Sequence, residues 1–236
     1  MSLSFDDIPG AFDAGASAYD KLVAANPGYH SHLRISARRM RLARQGDGLR
    51  LLDAGCGTGA STAALVAVAP KAEIVAVDVS RGMLAQATAK PWPSSVTFVE
   101  SRIEDLDEAD VNGPFDGVLA AYLVRNVADK DGQLQRFCAL LRPGATLAVH
   151  EYSVRDSRLA TVVWNTVCAT IIIPSGRLRT GDAALYKYLR GSVNQFDGAA
   201  AFRDRLRANG FVSVSSETMP GWQRNIVHTF LGQAPR

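Results

Sequence analysis

The sequence predicts an α/β fold, an open and mostly parallel sheet with helices on both faces, and three observations carry that prediction. Short apolar runs alternate with helix-forming segments from about Arg50 onward, the signature of βαβ units. The stretch LLDAGCGTG at 51–59 reads as a buried strand that ends in a glycine-spaced turn before helix formers resume. The last two apolar runs, at 211–217 and 225–231, follow one another so closely that they must pair antiparallel at the sheet edge. A chain of 236 residues buries a sizeable core and suits one domain with a cap.

Residues 1–48 precede the first strand and stand outside the alternation. They read as two helical segments from Asp13 to about Gly46, the second carrying apolar Leu33, Ile35, Met40 and Leu42, with Gly46 and Gly48 closing it. The core follows at 49–153. Its strands are expected at Arg50–Ala54, Glu73–Asp78, Val96–Glu100, Phe115–Ala121 and Ala145–Tyr152. Ser80 is a natural N-cap for a helix that runs through Met83 and Leu84 to Ala89, where PWP breaks it. A later helix shows Leu134, Phe137 and Leu141 to the core, and Arg142, Pro143 and Gly144 turn the chain into the fifth strand. Residues 154–198 form an insertion rich in Val, Ile and Tyr, and 199–236 hold a helix ending at Gly210 and the final hairpin, for seven strands in all.

Composition narrows the partners. With 47% hydrophobic and 21% charged residues the chain is globular, and its net charge of +3 is spread among acids rather than gathered in a basic run, which argues against nucleic acid. Cys56, Cys138 and Cys168 have neither metal spacing nor a disulfide framework, so a reducing cytoplasm fits and no metal is expected. The opening MSLSFDDIPG is acidic where a secretory signal would be basic, and the apolar stretch TVVWNTVCATIIIP is about 14 residues, short for a membrane span.

Chemistry concentrates at the strand ends. Gly55, Gly57 and Gly59 can take positive φ and let backbone N–H groups approach a ligand, with Thr58 among them. A dinucleotide fingerprint could be forced onto Gly55, Gly57 and Ala60, but Asp53 discriminates. Its charge opposes a pyrophosphate and suits a ligand with an ammonium and a sulfonium. Asp78, at the end of the second strand, can accept ribose hydroxyls, with Val79 and Met83 just beyond it. Together these acids point to S-adenosyl-L-methionine.

LLDAGCGTG, AVDVSRGML and FDGVLAAYLVRNVADKD together resemble the class I S-adenosylmethionine-dependent methyltransferases, and RNVADKD resembles the branch that methylates quinone rings in ubiquinone and menaquinone biosynthesis. The likeness covers nearly the whole chain, including Tyr19 and Asp20, PGYH at 27–30, LRPGATLAVHEYS, YKYLRGSV and the GF at Gly210. It implies a Rossmann-like seven-stranded sheet, an N-terminal helical lid over the cofactor and a substrate cap before the last two strands. Arg102 and Ile103 fall where the family holds adenine. Arg cannot accept from the adenine amino group, so Ile103 is expected to pack on the ring while Arg102 pairs with Glu104 or Asp105. Ala121 and Tyr122 are expected beside the methionine part. Tyr19, Arg125 and Asn126 are candidates for substrate or lid positioning, and Arg125 as a loop ion pair with Asn126 as a helix cap is the alternative.

Tyr186 and Tyr188 suit an aromatic ring with a lipid tail, or equally a dimer interface. The base for ring methylation falls to His150, His30 or a water held by Glu151, with His150 standing where the family is usually apolar. The resemblance implies methyl transfer to a ring carbon of an aromatic or quinol acceptor, such as a menaquinone precursor, by a cytoplasmic enzyme. An isoprenoid tail would call for loose membrane association, and a homodimer stays open. Other readings stay open too: C- or O-methylation of a specialised natural product, a cyclase or isomerase retaining the cofactor, a nicotinamide oxidoreductase, and a cofactor-sensing binding protein.

Overall fold

The computed structural model describes residues 8–24, 26–180 and 183–236, so the acidic opening segment 1–7 lies outside the described residues. Strands β1 (Arg50–Ala54), β2 (Glu73–Asp78), β3 (Val96–Glu100), β4 (Phe115–Ala121), β5 (Leu141–Tyr152), β6 (Val212–Thr218) and β7 (Val227–Gln233) make one sheet in the order β3-β2-β1-β4-β5-β7-β6. The first five run parallel, and β7 pairs antiparallel with both β5 and β6. The expected hairpin is therefore present, with β6 as the edge and β7 one strand in.

Alternation along the parallel strands assigns the two faces. Leu52, Val75, Val118 and Val149 face α5 (Lys130–Leu140) and α9 (Ala199–Ala208) through Leu134, Phe137, Phe202 and Leu206. Leu51, Ile74, Leu119 and Ala148 face α2 (Tyr29–Arg39) and α3 (Ala60–Val68) through Leu33, Ala37 and Leu65. Both faces are covered, and the strands' carboxyl ends open on one crevice.

Several expected boundaries shift for local reasons. α2 stops at Arg39 rather than near Gly46, since Arg41, Arg44 and Gln45 adopt positive φ and leave the helical region. The Arg-Pro-Gly turn is absorbed into β5 as an irregularity, where Phe115 pairs with Leu141 but Gly117 pairs with Thr146, and Gly144 N–H donates to the Ala234 carbonyl at 3.0 Å. Helix α4 (Arg81–Thr88) is capped as expected, Ser80 Oγ accepting from Met83 N–H at 3.1 Å. Asp129, not Asn126, caps α5 by accepting from Gly132 N–H at 2.9 Å.

The remaining helices lie over the crevice: α1 (Ile8–Ala24) on one side, and on the other α6 (Arg158–Val167), which continues through a π-turn (Cys168–Ile172) into α7 (Ile173–Thr180), followed by α8 (Ala184–Gln195). The helix from Arg158 to Leu178 thus has 21 residues, longer than the apolar stretch suggests, and by length and composition alone it could cross a membrane. Ala160, Trp164 and Cys168 bury one side of it against Tyr152, Val193, Met219 and Val227.

Candidate active site

The glycine loop after β1 is shaped by its own amides. Gly55 and Cys56 N–H donate to the Val77 carbonyl at 2.8 and 2.9 Å, Gly57 N–H to Asp78 Oδ2 at 2.8 Å, and Gly59 N–H to the Cys56 carbonyl at 2.9 Å. Those amides are consumed in building the turn, so the loop offers a smooth wall instead of the row of free donors expected of it. Positive φ at Gly55, Gly57 and Gly59 makes this path possible. A Cβ on Gly57 would meet nothing within 4 Å, whereas one on Gly59 would strike the Trp92 ring at 2.7 Å. Gly57 faces the cavity and Gly59 packs behind it.

Gly55, Gly57, Thr58, Asp78, Val79, Met83, Arg102, Ile103 and Ala121 line this first cavity. Arg102 pairs with Glu104 and Asp105, each at 3.8 Å, as the sequence suggests, while Ile103 is buried against the core. Asp53 sits one layer behind the wall. Its Oδ2 accepts from Ser61 Oγ at 2.9 Å and Thr62 Oγ1 at 2.6 Å, and its buried Oδ1 has no hydrogen-bond partner. Burial pushes its pKa up to about 7 against the two hydroxyls, and Asp78 adds to the rise. Asp78 is also raised by burial, with the Ser80, Gly57 and Val79 amides pulling the other way. An orphaned carboxylate oxygen behind the loop and a second carboxylate on the wall fit a cationic ligand that carries hydroxyls. S-adenosylmethionine is such a ligand.

Helix α1 is latched across this cavity. Asp20 accepts from Thr58 Oγ1 at 2.6 Å and pairs with Lys90 Nζ at 2.6 Å, and Lys90 also donates to the Thr58 carbonyl at 2.7 Å. Nearer the start of α1, Asp13 accepts from Ser80 Oγ and from Gly82 N–H.

A second, apolar cavity of about 510 Å³ adjoins the first and shares Tyr19, Tyr29, Met83, Tyr122 and Arg125 with it. Val163, Val167, Ile172, Tyr186 and Tyr188 form its outer wall. Arg125, at the junction, is buried and donates through Nη1 to Glu151 Oε1 at 2.7 Å and to the Tyr122 carbonyl at 2.8 Å, while its buried Nε has no partner. Glu151 is fully buried and its Oε1 also accepts from Tyr152 N–H, so it serves the guanidinium and the strand and lines neither cavity. The anchoring ion pair is therefore real, yet Arg125 faces the cavities as well. Asn126 donates to the Tyr122 carbonyl at 3.1 Å and accepts from the Tyr188 hydroxyl at 3.1 Å, tying the loop to α8.

The two histidines are placed differently from expectation. His150 is fully buried behind Tyr122, with Nδ1 2.7 Å from Ser36 Oγ and Nε2 2.9 Å from the Tyr122 hydroxyl. Burial, with cationic and histidine neighbours, drives its pKa down to about 3. Both ring nitrogens are occupied and it touches neither cavity, which removes it as a direct base. His30 is exposed and packs edge-on to Tyr29 at 5.3 Å, outside both cavities. Consecutive residues on a helix point about 100° apart, and it is Tyr29 that faces in, stacked on Tyr122 with ring centroids 5.6 Å apart. Tyr29 and Tyr152 are the site residues that sequence reasoning passes over. The PGYH segment contained the signal for the first, one residue before the histidine chosen. Among the described residues, no group of His, Cys, Asp and Glu side chains could hold a metal ion.

Strand order, glycine loop and paired acids together define an S-adenosylmethionine-dependent methyltransferase of class I. The model of the ubiE/COQ5 methyltransferase family matches residues 4–228, and the chain belongs to that family. It is 32% identical over 213 residues to the ubiquinone/menaquinone biosynthesis C-methyltransferase UbiE of Syntrophotalea carbinolica, covering 89% of this chain and 88% of that one. It is 28% identical to the demethylmenaquinone methyltransferase of Clavibacter sepedonicus, covering 90% and 85%. Among solved structures it resembles the [4+2]-cyclase SpnF, at TM-score 0.70 and 16% identity over 100% of this chain and 97% of that one. It also resembles a Haemonchus contortus phosphoethanolamine N-methyltransferase with bound S-adenosyl-L-methionine, at TM-score 0.67 and 18% identity over 99% and 60%. These last likenesses concern the fold alone.

Proposed function

We propose that this enzyme methylates a ring carbon of a quinol-type aromatic carrying an apolar tail, a menaquinone or ubiquinone precursor. The observation that carries the reading is Arg125, a buried guanidinium that lines both the cofactor cavity and the apolar one and whose Nε has no hydrogen-bond partner. A buried donor-only group without an acceptor is costly, and a ring oxygen would satisfy it. The names of the relatives support the same acceptor class.

Bound S-adenosylmethionine supplies an electrophilic methyl group. The chain's own part is to hold and align. Asp78 and the glycine loop seat the ribose side, Asp53 supplies negative charge behind the ammonium, and Ile103 packs on the adenine. Arg125 holds the ring oxygen, Asn126 and Tyr188 fix its loop, and Tyr19, Tyr29 and Tyr186 wall the aromatic ring. Helix α1 acts as the lid and α6 to α8 as the substrate cap, excluding water around residues aligned for an in-line displacement.

The tail's source is a membrane, and the cap is suited to meet one. Leu159, Val162 and Leu178 are exposed along the long helix while its other side lines the cavity. Residues 154–191 hold six Lys or Arg against two Asp, so an anionic lipid surface complements them. The free thiols of Cys56, Cys138 and Cys168 support a reducing compartment, the cytoplasmic side of that membrane. Incubation with methyl-labelled S-adenosylmethionine and demethylquinols of graded tail length tests the reading. Turnover should improve as the tail lengthens from none to one or two isoprene units, and indifference to the tail would set the acceptor class aside.

A further inference from the structure

We propose that the Tyr122 hydroxyl is a catalytic residue that hydrogen-bonds the acceptor's ring oxygen in its phenolate form, and that a proton-ordered chain from Arg39 through Thr229, Ser36 and His150 sets its direction. The inference rests on the ring-hydroxyl acceptor proposed above and adds a group that holds it.

The direction follows from counting protons. Arg39 can only donate, and its Nη1 gives a hydrogen to Thr229 Oγ1 at 2.8 Å. Thr229 is fully buried, and its own O–H has only Ser36 Oγ, 2.7 Å away, as an acceptor among these partners. Ser36, equally buried, therefore receives from Thr229 and passes its single proton to His150 Nδ1 at 2.7 Å. A ring that accepts at Nδ1 carries its hydrogen on Nε2, and Nε2–H points at the Tyr122 oxygen 2.9 Å away. The opposite polarity would leave the Thr229 proton buried without an acceptor. Tyr122 thus accepts from behind, and its own O–H is free to be given forward, toward the Tyr152 hydroxyl beside it or a ring oxygen in the cavity. A hydroxyl that accepts one hydrogen bond donates a stronger one.

Tyr122 is also held in place at a cost. It adopts φ +56°, rare for a bulky residue, just past β4, with its N–H donated to the His150 carbonyl at 2.7 Å and its ring stacked on Tyr29. Tyr122 and Arg125 line both cavities where they adjoin, and the hydroxyl and the guanidinium together make a two-donor site for a developing oxyanion. Burial keeps Tyr122 a phenol and His150 neutral, so the pair stabilises the phenolate charge while the acceptor's hydroxyl proton is lost to water as it ionises.

The test uses 4-nitrophenol, whose phenol and phenolate absorb differently, titrated on the enzyme saturated with S-adenosylhomocysteine. The wild-type site should lower the apparent pKa of the bound probe. Tyr122→Phe, which keeps the ring stack and leaves Arg125 in place, should raise it part of the way back toward the free value and cut kcat ~100-fold. Ser36→Ala, which frees the histidine tautomer, should fall between the two, and it decides the matter if Tyr122→Phe does not fold. Equal probe pKa and equal kcat in wild type and variants would overturn the proposal even if ring methylation stands. Loss of the probe shift in the variants of an enzyme that methylates no ring-hydroxyl acceptor would instead uphold the phenolate site and reject the acceptor class.

Discussion

Tyr122 and His150 are joined twice, by the Tyr122 hydroxyl to Nε2 at 2.9 Å and by Tyr122 N–H to the His150 carbonyl at 2.7 Å. The double link ties the strained end of β4 to the buried end of β5, beside the register pair Ala121 and His150. It turns a histidine that sequence places near the chemistry into the support of a tyrosine that faces it.

Acid stability should report these buried groups. His150 and His228 have pKa values lowered by burial to about 3 and about 4, so as pH falls below the ordinary histidine value of 6.5 the unfolded chain gains two protons that the folded chain refuses. Asp53, raised to about 7, works the other way, holding a proton when folded between about pH 7 and its ordinary 3.8. These three groups leave a net loss of about 1.4 kcal/mol per pH unit between pH 6 and 4.5. Denaturant unfolding across that window should show Asp53→Asn steepening the loss by a further ~1.4 kcal/mol per unit. An unchanged slope would mean that Asp53 titrates normally.

Arg125 and Glu151 form a buried ion pair at 2.7 Å, and removing one partner strands the other's charge. Arg125→Met should cost ~3–5 kcal/mol of stability, and the double variant Arg125→Met with Glu151→Gln should recover much of it. Neither should methylate a ring acceptor well, since the Nε donor is gone in both. Additive losses in the double-mutant cycle would show the pair to be energetically idle.

The latch from α1 to the glycine loop is a prediction about binding rather than folding. Asp20 and Lys90 are part-exposed, so their pair adds little stability, ~1 kcal/mol at most. Asp20→Asn should nonetheless weaken S-adenosylhomocysteine binding several-fold in calorimetry and speed amide exchange across Ile8–Ala24. Unchanged affinity with unchanged exchange would separate α1 from cofactor retention.

Vesicle co-sedimentation tests the cap's outer face. The protein should bind anionic phospholipid vesicles more than neutral ones and release with salt, and Leu159→Ser combined with Leu178→Ser should lower binding at least several-fold. A salt-insensitive dimer in solution, dispersed by the same substitutions and with no vesicle binding, would assign the stripe to a second copy of the chain.

The sheet was legible because its evidence is local. Alternation, the glycine turn and the closeness of the last strands each need only a few consecutive residues, and the Arg102 pairing with Glu104 and Asp105 was readable for the same reason. What sequence could not supply was partnership across the fold. His150 finds Ser36 across 114 positions, and only packing reveals that its ring turns from the crevice. His30 and Tyr29 differ by one helical step, and it is Tyr29 that packing buries while His30 stays exposed. The long helix was underestimated because its apolar reading stops at Pro174, whereas the chain passes through the π-turn at Cys168–Ile172 and carries Pro174 in the first turn of α7, running on to Thr180.

Ring methylation is tested most directly by locating the transferred methyl group. The enzyme is given S-adenosylmethionine with a ¹³C-labelled methyl and a short-tailed demethylmenaquinol, and the product is read by carbon NMR. A methyl bonded to a ring carbon is expected. A methyl ether, or no labelled product from an enzyme that binds S-adenosylhomocysteine, would contradict it.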